Sequence, residues 1–385
     1  MSLFDVQPGP IERVDVFQPD FLPESLPERE RERRKTTSTI RRQLDQNESG
    51  VIILRGEPGT GKTVLTRTLS KVHEGSGPLN WSYFQAAPNN TAYQEAIRLG
   101  NLLSTQSELK PTGYSQEAVY SRLEREILRA AQPSAVAIDD FESDTHGALL
   151  QTISDTASQK SSPLLITFVL TRETDPDIPA EFPIAAEFEL TYSISDLKSI
   201  LSRRIELGGD PSQISPEVVP LCASYGFETG TMAQGAIELF IQAAQVSHED
   251  LAPEVVGKHV EEAKIRMARK AVAEKLVHLD SHSLILLYAA SSLDGLGYVP
   301  ALADDIETTY EELAELTSIQ PLSQRRLKDR FNQLSRLGLL EYSVVNEGQN
   351  GGVYRQYELG YPRDLIVGAL GDEADFQVVH RQVKR

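Results

Sequence analysis

The octapeptide GEPGTGKT, Gly56 to Thr63, has the spacing G-x-x-x-x-G-K-[ST] and lies between an apolar run, GVIILR, and a segment of helical period, KTVLTRTLSKVHE. That pattern in a strand–loop–helix setting is the chemistry of a phosphate cradle. Gly59 and Gly61 let the backbone wrap N–H groups around phosphate oxygens, with Gly56, Pro58, Thr60 and Val64 completing the turn. The helix beginning near Gly61 points its positive end at the anion. Lys62 neutralises the β and γ phosphates, and the Thr63 hydroxyl reaches a magnesium ion, so ATP or ADP with Mg2+ is the expected cofactor.

A second run, SAVAIDD, ends in Asp139 and Asp140. Asp139 is placed to coordinate the magnesium, and Asp140 stands where a carboxylate polarises the attacking water; an acidic strand end facing solvent is the plainer reading. Enzymes of this kind mostly carry Glu at the second place. Asp withdraws the carboxylate by one carbon–carbon bond, about 1.5 Å, and a displacement of that size can cost about 10²-fold in rate. Nucleotide binding is therefore expected to survive better than hydrolysis.

Those residues need a sheet to hold them. GVIILRG, WSYFQAA, SAVAIDD, PLLITFVLT and AAEFEL are short apolar strands, and helices alternate with them, including a pair across 91–131. This is the pattern of a parallel α/β sheet covered on both faces. From 193 to 276 only helical periodicity is present, as in a separate all-helical lid. From 281 to about 362 three helical segments precede two strands, EYSVV and VYRQYEL, joined by NEGQNGG, which describes a winged helix-turn-helix with Gly351 and Gly352 at the wing tip. The expected boundaries are a loose leader over 1–20, a nucleotide-binding base over 21–191, a lid over 192–277, a winged helix over 278–365 and a tail over 366–385. LPERERERRKTTSTIRRQL, residues 26–44, is a highly charged helix, most simply a solvated face.

Acidic residues outnumber basic ones 56 to 38, for a net charge of −18. Such a surface suits a salt-rich cytoplasm, in which charge maintains solubility, although an acidic protein of ordinary habitat has the same arithmetic. The charge argues against nucleic acid as a partner, but at molar salt the Debye length is about 3 Å and local patches decide. One patch is basic. In SQRRLKDRFNQLSRLG, Leu327, Phe331 and Leu334 share one helical face, leaving Arg325, Asn332 and Arg336 on the other, with Arg326, Lys328 and Gln333 beside them. Arg, Asn and Gln are the side chains suited to base edges in the major groove, and Arg355 on the second wing strand is placed to reach a phosphate or the minor groove. A solvated helix in a protein-binding winged helix is the alternative. The lone Cys222 excludes an internal disulfide framework and a cysteine-based zinc site. No apolar run approaches the ~20 residues of a membrane span, so a cytoplasmic, nucleoid-associated protein without a membrane partner is expected.

Over roughly residues 20–362 these motifs together resemble the archaeal origin-recognition and cell-division-cycle type AAA+ initiators, as a divergent paralogue from a halophile would. FLPESLPERERE is similar to the family's N-terminal box, with Glu28 where His is common. NNTAYQEAIRLGNLL and TGYSQEAVYSRLEREIL are similar to its helical insertion, which touches DNA in the family. LTYSISDLKSILSRRIE is similar to the start of its lid, and this implies that Tyr192 and Arg204 lie near the nucleotide, unless they are ordinary lid residues. Three departures accompany the likeness. Thr171 and Arg172 stand where the family has a γ-phosphate-sensing Asn, RETDPDIPAEFPIAAEFE lacks the stretch with the arginine finger, and GTMAQGAIELF puts Gln234 at the place of the lid arginine. An arginine finger is worth about 10³–10⁵ in rate. The resemblance therefore implies an ATP-binding initiator of slow ATPase activity, which recognises double-stranded origin DNA and helps load the replicative helicase beside paralogous initiators. A nucleotide-gated transcriptional regulator is the alternative, and an active AAA+ motor or small-substrate P-loop enzyme a more distant one.

Overall fold

The computed structural model describes residues 9–73, 79–87, 90–104, 108–129, 132–140, 143–160, 162–170, 178–179, 182–317, 319–346 and 353–372. The chain divides into two compact units, residues 1–260 and 261–385.

In the first unit, strands β1 (Gly50–Arg55), β2 (Asn80–Gln85), β3 (Ser134–Asp139), β4 (Leu164–Leu170) and β5 (Ile184–Glu189) form one sheet in the order β2-β3-β4-β1-β5. Every pairing is parallel. Strands β3 and β4 are buried along their whole length, as expected of central strands covered on both faces. Along β1 the period of two is explicit. Val51 and Ile53 join one core with helices α3 (Ala92–Leu103), α4 (Gln116–Arg129) and α5 (Ser143–Gln159), whereas Ile52 and Leu54 join another with Ile40 of α1 (Glu30–Gln46) and Leu65 and Leu69 of α2 (Lys62–His73). The register sets Gln85 beside Asp139 at the carboxyl ends of β2 and β3, the edge at which open α/β sheets bind ligands.

The lid is four helices, α6 (Ile194–Gly208), α7 (Val218–Glu228), α8 (Met232–Glu249) and α9 (Gly257–Leu276), the last continuing into the second unit. Ser193 caps α6 through a reciprocal bond with Asp196.

The expectation of a loose leader fails from Gly9 onward. Glu12 and Arg13 donate backbone bonds to the Gly208 carbonyl, a short 3₁₀ turn covers Val14–Phe17, and Val16 and Phe17 are buried, Phe17 against Phe240 of α8. A β-carbon at Gly208 would lie 2.7 Å from that of Val16, so glycine is what lets the strap close on α6. The expectation rested on Pro8, Pro10, Pro19 and the acidic residues between them; Ile11, Val16 and Phe17 are the apolar anchors that outweigh them.

The second unit is a winged helix with one core, into which Val272 and Leu276 of α9 also pack. It contains α10 (Ser281–Gly295), a two-residue strand β6 (Ala301–Leu302), α11 (Ala303–Leu316), α12 (Gln324–Arg336), β7 (Leu340–Asn346) and β8 (Val353–Leu359), with a sheet in the order β6-β8-β7. The tail expected from 366 is instead helical as far as Asp372. In α13 (Arg363–Asp372), Ile366, Ala369 and Leu370 bury themselves in the core.

Candidate nucleotide site and basic helix

The glycine-rich loop follows β1 directly. The Lys62 ammonium donates to the Gly56 and Glu57 carbonyls, each at 2.8 Å, so its charge lies over the cradle. Burial lowers its pKa, and the nearby charges of Asp139, Glu57 and Asp140 oppose that. Thr60 is buried and its hydroxyl donates to the Glu57 carbonyl, whereas Pro58 is exposed at the loop's tip. Gly59, Gly61, Lys62, Thr63 and Val64 line a cavity of about 690 Å³, within the range of small-molecule and cofactor sites. Gly61 has a φ of 79°, and a β-carbon there would meet the Tyr192 hydroxyl at 2.4 Å.

Asp139, only 4% exposed, accepts from the Thr63 hydroxyl at 2.6 Å and from the Tyr83 hydroxyl at 2.8 Å on the same oxygen. Burial raises its pKa, opposed by those two bonds, and burial with the Asp139 charge raises Tyr83. Among the described residues no cluster of three or more His, Cys, Asp or Glu side chains is found. A magnesium ion in a phosphate cradle does not need one, since it keeps waters and phosphate oxygens beside one or two protein ligands. Thr63 and Asp139 are two oxygen donors in reach of each other, and the buried carboxylate is the kind of anion a cation would stabilise.

Asp140 is exposed in a left-handed conformation, φ 57°, with the Gln85 amide donating to its carboxylate at 3.0 Å. Asp and Asn tolerate that conformation better than longer side chains. Thr171 and Arg172 lie outside the described residues.

Sequence reasoning placed Tyr192 and Arg204 here, and both line the cavity. Tyr192 is buried, which raises its pKa, and its ring carries the Arg29 guanidinium 3.6 Å above its centre. Arg204 faces the strap as much as the cavity. It donates to the Val16 carbonyl and lies 4.4 Å over the Phe21 ring, and burial pulls its pKa down to about 10. Gln234, at the place of the lid arginine, also lines the cavity, and the Ala233 N–H donates to the Gly59 carbonyl, joining lid to cradle.

The sequence alone did not assign Arg29, Arg203 or Gln85. Buried Arg29 makes two bonds to the Thr60 carbonyl, at 3.1 and 2.7 Å. Glu28 accepts from Ser199 at 2.6 Å and from Arg203 at 2.7 and 3.1 Å. The adjacent pair Glu28–Arg29 thus ties the N-terminal box to lid and cradle at once. The one available signal was the Glu at a position where the family carries His.

In the second unit Leu327, Phe331 and Leu334 are buried as expected, and Arg325, Arg326, Lys328 and Arg336 are exposed. The other expected contacts are engaged within the domain. Gln333 accepts from Ser283 at 3.3 Å, and Asn332 accepts from Arg355 at 3.1 Å. Arg355 also stacks 4.3 Å over Tyr342, so it is held against the wing instead of reaching outward. Gly351 and Gly352 lie outside the described residues.

Three family models match in succession. They are an AAA ATPase domain over residues 25–168, a Cdc6 AAA+ ATPase-type lid domain over 198–265, and a CDC6 C-terminal winged helix domain over 274–369. The chain is a homologue of archaeal ORC1-type replication proteins. Among curated relatives, the ORC1-type DNA replication protein 11 of Haloarcula marismortui is 26% identical, with 96% of this chain and 93% of that protein covered. The ORC1-type DNA replication protein of Pyrococcus furiosus is also 26% identical, over 88% of this chain and 84% of the relative. Among solved structures, the Aeropyrum pernix ORC1 protein in complex with DNA shares the fold at a TM-score of 0.74 and 24% identity, covering 97% of this chain and all of that one. Among the described residues no helix is long and apolar enough to cross a membrane.

Proposed function

We propose that this chain is an ATP-binding replication initiator that reads origin DNA through α12. The observation that carries the proposal is the pairing, in one chain, of a phosphate cradle closed by a Cdc6-type lid with a helix whose solvent face is basic. Thr63 and Asp139 would hold a Mg2+ ion, which would supply positive charge against the bound phosphates. Lys62 and the cradle N–H groups hold those phosphates, and Arg29 and Tyr192 pack the cradle against the lid. Arg325, Arg326, Lys328 and Arg336 are the duplex contacts; Asn332, Gln333 and Arg355 take part only by leaving their present partners. Hydrolysis is slow, because Asp140 is short and occupied by Gln85 and because Gln234 brings no charge. The chain acts in the cytoplasm at the nucleoid and helps recruit the replicative helicase together with paralogous initiators. The curated relatives give no support to the regulator reading.

Footprinting of the full chain with ATP on DNA beside its own gene tests the proposal. Protection of repeats next to an A·T-rich segment is expected, and protection confined to promoters would overturn it. Steady-state phosphate release near 1 s⁻¹, within the ordinary range of active phosphoryl-transfer enzymes, would overturn the slow-hydrolysis part.

A further inference from the structure

The charged helix α1 is not a uniformly mixed solvated face. Its buried side is Thr36, Thr39, Ile40 and Gln43. Its exposed residues are Arg31, Arg34, Lys35, Ser38, Arg41, Arg42, Asp45 and Gln46, and at 100° per residue these fall within an arc of about 140°. Five cations and one carboxylate share that arc, in a chain whose net charge is −18.

Helix stability does not account for the pattern. The last turn of α1, where cations complement the helix dipole, holds no basic residue, while Arg31 sits near the positive end. Arg31 and Lys35 are like charges at i,i+4, which repel. Arg34 pairs with Glu30 at 2.7 Å, and Arg42 donates to the uncharged Ala185 carbonyl. Arg31, Lys35 and Arg41 have no partner among the described residues. From Arg31 to Arg42 the stripe is about 16 Å long at 1.5 Å per residue, close to five base pairs of duplex at 3.4 Å each.

We infer that the exposed face of α1 is a second, sequence-independent contact for the phosphate backbone of double-stranded DNA, on the nucleotide-binding unit and separate from α12. An acidic protein surface, such as that of another copy of this chain, is the competing occupant. The composition of the face favours DNA. Protein interfaces are built round apolar or aromatic anchors, and this arc has none; phosphate contacts need only cations and hydroxyl or amide donors, to which the exposed Gln46 amide adds one, while the Ser38 hydroxyl donates to the Lys35 carbonyl. The choice of duplex as the probe rests on the function proposed above.

The test is the salt dependence of binding of the full chain to a labelled 30-base-pair duplex of arbitrary sequence, from about 0.2 to about 1 M KCl. R31Q/K35Q/R41Q should make the log Kd against log salt slope shallower by about 2 to 3, at ~0.9 for each phosphate that is no longer neutralised. R31K/R41K should keep the parent slope. Thermal midpoint and ATP affinity verify that the variants fold, and K35Q/R41Q, with a change of about 2, serves if the triple variant does not. An unchanged slope in a folded variant overturns the inference. If R325A/R336A weakens binding while the α1 variants do nothing, only this inference falls; if neither set matters, the DNA reading falls with it. Loss of self-association with the slope unchanged would assign the face to a second copy and overturn the proposal.

Discussion

The Gln85 side-chain amide donates to the Asp140 carboxylate at 3.0 Å, with Asp140 in a left-handed backbone at φ 57°. The short acid and its occupied oxygen are thus parts of one arrangement, because Asp accepts that conformation at less strain than Glu. Asp140→Glu should lengthen the side chain by about 1.5 Å, bring it past Gln85, and raise single-turnover phosphate release by about ten-fold. Asp140→Ala should leave the slow parent rate within about two-fold, since little water activation is there to lose. A parent rate that collapses in Asp140→Ala would show that Asp140 already activates water.

Glu28 and Arg203 bridge the N-terminal box and α6 with both side chains at the cavity wall. Burial opposes ionisation of Glu28, yet the bonds from Arg203 and Ser199 outweigh it and hold the carboxyl below its ordinary value; Glu28 in turn raises Arg203. A carboxyl so depressed stabilises the fold fully above its unfolded pKa and loses that contribution as pH falls through the folded one. Glu28→Gln should therefore flatten the acid limb of the thermal-midpoint profile below about pH 4.5. At neutral pH Glu28→Ala should weaken ATP binding by about ten-fold, and Glu28→Arg with Arg203→Glu should recover much of it. Equal losses in the single and swapped variants would rule out the pairing as the cause.

The architecture was legible because periodicity carries it. Alternating buried strands, the cradle spacing and the apolar stripe of α12 all lie in local sequence. The missed features are nonlocal or too small for periodicity to register. Glu28 finds Arg203 across the chain, Arg29 finds the Thr60 carbonyl, and β6 is two residues long. Arg355 misled because its exposure could be guessed from a strand's alternation, whereas its attachment to Asn332 and Tyr342 could not.

Gly61 lies against the Tyr192 hydroxyl, and with it the floor of the cradle meets the lid. Gly61→Ala should force Tyr192 away, which also removes the ring beneath Arg29. ATP affinity should fall by at least ten-fold, with a stability loss of about 1–3 kcal/mol from overpacking. Calorimetric titration with ATP measures the first and thermal unfolding the second. Tyr192→Phe at a parent Gly61 should retain most of the affinity, separating the hydroxyl from the ring.

Gly208 controls the strap rather than the cradle. Gly208→Val would push Val16 and the Arg13 carbonyl off α6, loosening Phe17 at the cavity edge. Hydrogen exchange over residues 9–17 should accelerate, and ATP should dissociate faster, while binding of the duplex by α12 stays as in the parent.

Arg336 and Arg355 should part company in the second unit. Arg336 is exposed, so Arg336→Ala should weaken duplex binding and flatten its salt slope by about one unit, leaving the fold unchanged. Arg355 is bonded to Asn332 and stacked on Tyr342, an arrangement that joins α12 to the wing. Arg355→Ala should lower the thermal stability of the second unit, by about 1 kcal/mol from removal of the stacking and the hydrogen bond, with little change in the salt slope. A slope that falls by a full unit in Arg355→Ala, with stability intact, would mean that the side chain leaves Tyr342 for a phosphate when DNA binds.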